Sequence, residues 1–132
     1  MDGQGLITVK SNYSVRETLD RLKLGLESAG LSVFARIDHA ANAQAVGMPL
    51  RPTDLLIFGS PKGGTPLMQD QQTSGIDLPL KALCWQDELG NVWLSYNDPQ
   101  WVANRHQLTA KSEKFVAGMG QIMANLAKDA TT

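Results

Sequence analysis

The chain has 132 residues, 42% hydrophobic and 19% charged, with twelve basic against thirteen acidic side chains and a net charge of -1. That length suits one domain built on one core, and the composition excludes a disordered chain. The balanced charge lacks the basic excess of a nucleic-acid binder, so no nucleic-acid partner is expected.

Cys84 is the only cysteine, which rules out an internal disulfide and points to a reducing, cytoplasmic compartment. The start, Met1-Asp-Gly-Gln-Gly5, lacks the basic and apolar regions of a secretory signal. No apolar stretch approaches the roughly 20 residues of a membrane span. The sequence therefore predicts a cytoplasmic protein with no membrane partner.

Leu6 to Val9 reads as a first strand. Ser14-Val-Arg-Glu17 has the form of a capping box, and Val15, Leu19, Leu22, Leu26 and Ala29 follow at helical spacing up to a left-handed stop at Gly30. Leu31, Val33, Ala35 and Ile37 then alternate with Ser32, Phe34 and Arg36, the period of a second strand. Asp38 can cap a short helix from His39 to Val46, stopped by Gly47 and Pro49. Leu55 to Phe58 predicts a buried third strand. After Gly63-Gly64, Thr65 is the expected N-cap of a short helix with Pro66 in its first position.

Leu80 to Gln86 and Val92 to Tyr96 flank a five-residue connection containing Gly90, the pattern of a hairpin. Asp98-Pro99 starts a helix through Arg105. After a break at Gln107 to Thr109, a last helix (about 110–128) carries Phe115, Met119, Ile122 and Leu126 on one face. The order β-α-β-β-β-β-α has too few crossovers for a parallel sheet. It predicts a single α+β domain over 1–132, a largely antiparallel sheet with two long helices packed on one face.

Four segments in order, Arg36-Ile-Asp-His39, Leu56-Ile-Phe-Gly-Ser-Pro-Lys62, Gly75-Ile-Asp-Leu-Pro-Leu-Lys81 and Tyr96-Asn-Asp-Pro99, make the chain resemble domain-of-unknown-function family 302 over roughly 13–106. The resemblance implies a TBP-like β-α-β(4)-α fold, consistent with the order above, and a small bacterial-type protein that forms a homodimer. It implies no catalytic residues.

The candidate site residues come from chemistry. His39, beside Asp38, suits a general base or metal ligand, or it simply bonds a carbonyl at a capped helix start. Asp77 is either an acid–base carboxylate paired with His39 or a loop-fixing acceptor. Lys62, Gly63, Gly64 and Thr65 form the best candidate for binding an anion, with a plain connection as the alternative. Lys81 is either solvated or lines a groove, and Tyr96 completes the candidate ligand set. Cys84, between Leu83 and Trp85, reads as a buried small hydrophobe. No metal-ligand spacing and no cofactor fingerprint is visible.

The functional expectation is a homodimeric module that binds a small-molecule or anionic ligand. An enzyme using His39 and Asp77, and a structural or subunit-interaction protein, are the alternatives.

Overall fold

A computed structural model describes residues 3–132. Five strands form one sheet in the order β1-β5-β4-β3-β2, and every neighbouring pair is antiparallel. They are β1 (Leu6–Ser11), β2 (Ser32–Asp38), β3 (Thr53–Gly59), β4 (Leu80–Gln86) and β5 (Val92–Asn97). The helices are α1 (Val15–Ser28), α2 (His39–Ala45), α3 (Pro61–Asp70), α4 (Pro99–Arg105) and α5 (Ala110–Thr131), with a 3-10 helix at Gln72–Asp77.

The first helix forms where its sequence signals it. The Ser14 hydroxyl accepts the Glu17 N–H at 3.1 Å, and Gly30 ends the helix at a φ of 83°. Val15, Leu19, Leu22 and Leu26 are buried against Leu56, Phe58, Cys84 and Leu94 from the sheet. Burying four such side chains supplies about 2 kcal/mol each. This is the main core, and α1 and α5 roof it side by side.

The last helix is turned only slightly from its predicted face: Phe115, Met119 and Leu126 pack on the core as expected, and Ile122 does not. Ser112, Val116, Met119, Met123, Ala127 and Ala130 are buried, while Ile122 is 41% exposed. Met123 and the alanines let α5 lie close to the sheet and to α1. The predicted stripe, drawn through the bulkiest residues, shares Met119 with this row and flanks it with Phe115 and Leu126. Both rows have helical spacing, and only packing against α1 selects between them.

The second strand also departs from simple alternation. Its register shifts between Val33 and Ala35, a bulge at Phe34 that reverses the faces beyond it. Arg36 therefore turns toward α1, where its guanidinium reaches Asp20 at 2.6 Å and Asp54 at 3.1 Å, and Ile37 turns away.

A third difference lies at α3. It begins at Pro61, four residues before the expected Thr65 cap, and Pro66 stands inside it. Gly63 and Gly64 are thus helical. A Cβ on Gly63 would lie 2.3 Å from the Phe115 ring, so glycine here admits α5 rather than a ligand.

The opposite sheet face carries Ile37, Leu55, Ile57, Leu83, Trp85 and Trp93. These are half-buried, and none belongs to either hydrophobic cluster of the described residues. Trp85 and Trp93 face each other across β4 and β5 with ring centres 6.3 Å apart.

Candidate functional site

Three constellations stand out, and the most enclosed and apolar lies between α3, α4 and α5. A second, smaller cluster of Leu67, Ala103 and Val116 joins these helices away from the main core. Beside it opens a cavity of about 280 Å³. Leu67 and Met68 of α3, Leu78 to Leu80 entering β4, Val102 of α4, Leu108, and Phe115 and Met119 of α5 form its walls. Phe34, from the β2 bulge, stands half-exposed among the lining residues. The hydroxyl residues Ser60 and Thr65 are its polar components, and no charged side chain lines it. An ion would lose its hydration here without compensation, so the chamber suits apolar groups.

Gly63, Gly64 and Thr65 do line this cavity, although as part of a helix and not of a phosphate-cradling loop. Lys62 and Lys81 are next to lining positions. The Lys81 ammonium donates to the Pro79 carbonyl at 3.4 Å. Tyr96 lies elsewhere, buried in the main core.

The second constellation binds the 3-10 helix to the end of α4. His106 Nε2 and Asp77 Oδ2 are 2.5 Å apart, and the Thr73 hydroxyl lies 3.0 Å from His106 Nδ1. Arg105 reaches both Asp77 oxygens at 3.0 Å. With its proton on Nε2, His106 donates to Asp77 and accepts from Thr73. The order hydroxyl, imidazole, carboxylate is that of an acyl-transfer triad. Neither of the two described cavities is lined by Thr73, Asp77 or His106, and Arg105 occupies the carboxylate. The group acts as a clamp across two elements. Sequence reading missed it because Asp77 and His106 are far apart along the chain.

The proposed pairing of His39 with Asp77 is corrected by this geometry. His39 starts α2 at the end of β2 where Asp38 pairs with Asp54, and the Asp38 carboxylate accepts the Ala41 N–H at 2.9 Å. Asp77 precedes β4, whose first residue Leu80 pairs with Phe58 near the other end of β3. At about 3.3 Å per residue the two ends lie roughly 15 Å apart, beyond direct proton exchange.

The third constellation is centred on Arg36 in a broad, open depression also lined by Arg16, Asp20, Asp38 and Asp54. Burial alone would lower the Arg36 pKa, but hydrogen bonds to Asp20 and Asp54 outweigh it and raise the value. Asp54 Oδ1 is buried without a hydrogen-bond partner. Next to it in the sheet, burial pushes the Cys84 thiol up to about 12, so it is an inert core residue. Among the described residues no group of three or more His, Cys, Asp or Glu side chains is arranged to hold a metal ion.

Comparison with known proteins gives the following. The profile of the family "Domain of unknown function DUF302" matches residues 7–126. Proteins named fluoride-specific ion channel FluC 1 are 50% identical over 115 residues in Brucella suis biovar 1 (strain 1330) and in Brucella abortus biovar 1 (strain 9-941). The match covers 87% of this chain but only 45% and 43% of those proteins, so the chain spans less than half their length. The crystal structure of an uncharacterized conserved protein DUF302 from Bacillus stearothermophilus superposes with a TM-score of 0.86 at 19% identity. That match covers 97% of this chain and 99% of the other.

The relatives correct one expectation outright. A small-molecule or anionic partner with no membrane involved is overturned by relatives named as ion channels, which work in membranes. Within this chain itself, no helix of the described residues is long and apolar enough to cross a membrane.

Proposed function

The chain belongs to the DUF302 family, and on that footing we propose that it is a non-enzymatic subunit-interaction domain acting at a fluoride-conducting membrane channel. The observation that carries this is the 50% identity, over most of the chain, to less than half of proteins named as such channels. The membrane-crossing work falls to the remainder of those relatives, and this domain docks on its cytoplasmic side. The single, inert Cys84 is compatible with that reducing side.

The test is to tag the chain in its own cells, fractionate their membranes, and measure the fluoride tolerance of a strain lacking the gene. The expected outcome is recovery with the membranes and growth arrest at lower fluoride. Recovery wholly away from membranes, together with unchanged tolerance, sinks the reading.

A second reading concerns the uncovered sheet face. Its centre is apolar where an antiparallel sheet facing water is usually polar. Five strands spaced about 4.8 Å apart and roughly 20 Å long offer a face of roughly 500 Å², the size of a weak rather than an obligate pair. We assign this face to a second copy of the chain, giving a homodimer.

A further inference from the structure

The uncovered sheet face is apolar at its centre, but its two ends differ in charge. Lys81, in register with Ile57 of β3, stands at the end where β4 begins. Level with it on the same face are Ile57 and Ala35 on one side and Asn97 and Leu6 on the other, none of them acidic. At the opposite end of β4, Trp85 lies between Thr53 and Trp93, and Lys10 completes that row on the edge strand β1. Asp87 follows there, at the start of the hairpin loop. The Trp93 indole N–H donates to its Oδ2 at 2.9 Å, which holds the carboxylate at the rim of this face.

The backbone N–H groups of Leu89 and Asn91 donate to the other oxygen, Oδ1. The Trp93 bond above all, joined by these N–H groups and only partly opposed by burial, lowers the Asp87 pKa from its ordinary 3.8. Neither Lys81 nor Asp87 takes part in an ion pair among the described residues. At about 3.3 Å per residue, β4 keeps the two roughly 20 Å apart, too far to meet within one chain.

Separate sheets packed face to face keep their strand directions within about 30° of each other, whereas orthogonal packing belongs to strands that bend from one sheet into the next. An aligned two-fold pair then has two choices. An axis along the strands lays each row on its own counterpart. Lys81 is then covered by a row without a carboxylate, and an ammonium buried unpaired is strongly unfavourable. Lys10 reaches Asp87 in that arrangement only with the axis along β5, which leaves Ile37, Leu55 and Ile57 in water. An axis across the strands lays each end of one sheet on the opposite end of the other. Lys81 then arrives over a carboxylate and an indole face, while Leu83 and Leu55 stay against their counterparts. Lys10, exposed on its edge strand, keeps its charge in water.

We propose that two copies pair about a two-fold axis lying across the strands, so that Lys81 of each stands against Asp87 and Trp85 of the other. The proposal rests on the homodimer reading and supplies what that reading lacks, the contact that orients one copy on its partner. Symmetry makes the contact twice.

The whole chain is treated with a zero-length carbodiimide, which joins a carboxylate to an amine, at a concentration where light scattering gives the paired mass. The expected product is a covalent dimer whose peptide map links Lys81 to Asp87, a link that β4 forbids within one copy. Lys81→Glu weakens pairing roughly tenfold or more by sedimentation equilibrium, with unchanged circular dichroism, and Lys81→Arg pairs like wild type. A short bis-ester that joins Lys81 to Lys81, with no carbodiimide link to Asp87, would set the axis along the strands and overturn the proposal. Unweakened pairing of Lys81→Glu would do the same. Either result leaves the homodimer standing, whereas a monomer mass before any reagent is added removes the homodimer itself, so the two failures are distinguishable.

Discussion

Arg36 holds together three parts of the molecule through two carboxylates and the carbonyl of Arg16. Replacing it leaves Asp54 buried with one oxygen already unpartnered and the other newly so. Arg36→Met is expected to lose about 2–4 kcal/mol in urea unfolding, because an uncompensated buried carboxylate is what makes such a loss large. Adding Asp54→Leu should recover most of it. A single variant within 0.5 kcal/mol of wild type would show that the pair is as weak as a surface one. The sequence showed Arg36 only as a polar residue in an alternating strand. What redirected it was the bulge at Phe34, which no local residue type announces.

At the scale of elements, Asp70 joins the end of α3 to the start of α5. Its carboxylate accepts from the Ser112 hydroxyl at 2.7 Å and from the Thr109 N–H at 2.9 Å. The Ser112 bond, reinforced by Thr109 and only partly opposed by burial, lowers the Asp70 pKa from its ordinary 3.8. A carboxyl whose folded value is depressed stabilises the fold above its unfolded pKa and loses that contribution as pH falls through the folded one. Asp70→Ala should therefore melt at a lower temperature than wild type at pH 7, with the two curves converging below about pH 4. A gap that stays constant down to pH 2 would assign the effect to packing rather than to charge. The sequence did mark the break at Gln107 to Thr109. It could not reveal that the cap would be shared with a residue 39 positions earlier.

For the whole molecule, the proposed homodimer rests on the uncovered sheet face. Light scattering is expected to give twice the 14.3 kDa chain mass, and Ile57→Lys to give the single mass with unchanged circular dichroism. A wild-type monomer at high micromolar concentration would remove the assignment. The sequence by itself determined the strands, the capped helices and their order, since these follow from periodicity and from Ser14, Asp38 and Asp98, which act on neighbours within a few residues. It also fixed Cys84 as a core residue. Tertiary structure alone decided which stripe of α5 is buried, that Asp77 meets His106 and not His39, and that Gly63 and Gly64 line an apolar chamber. Those outcomes depend on how distant elements pack, and side-chain spacing along one segment carries no record of what arrives from another.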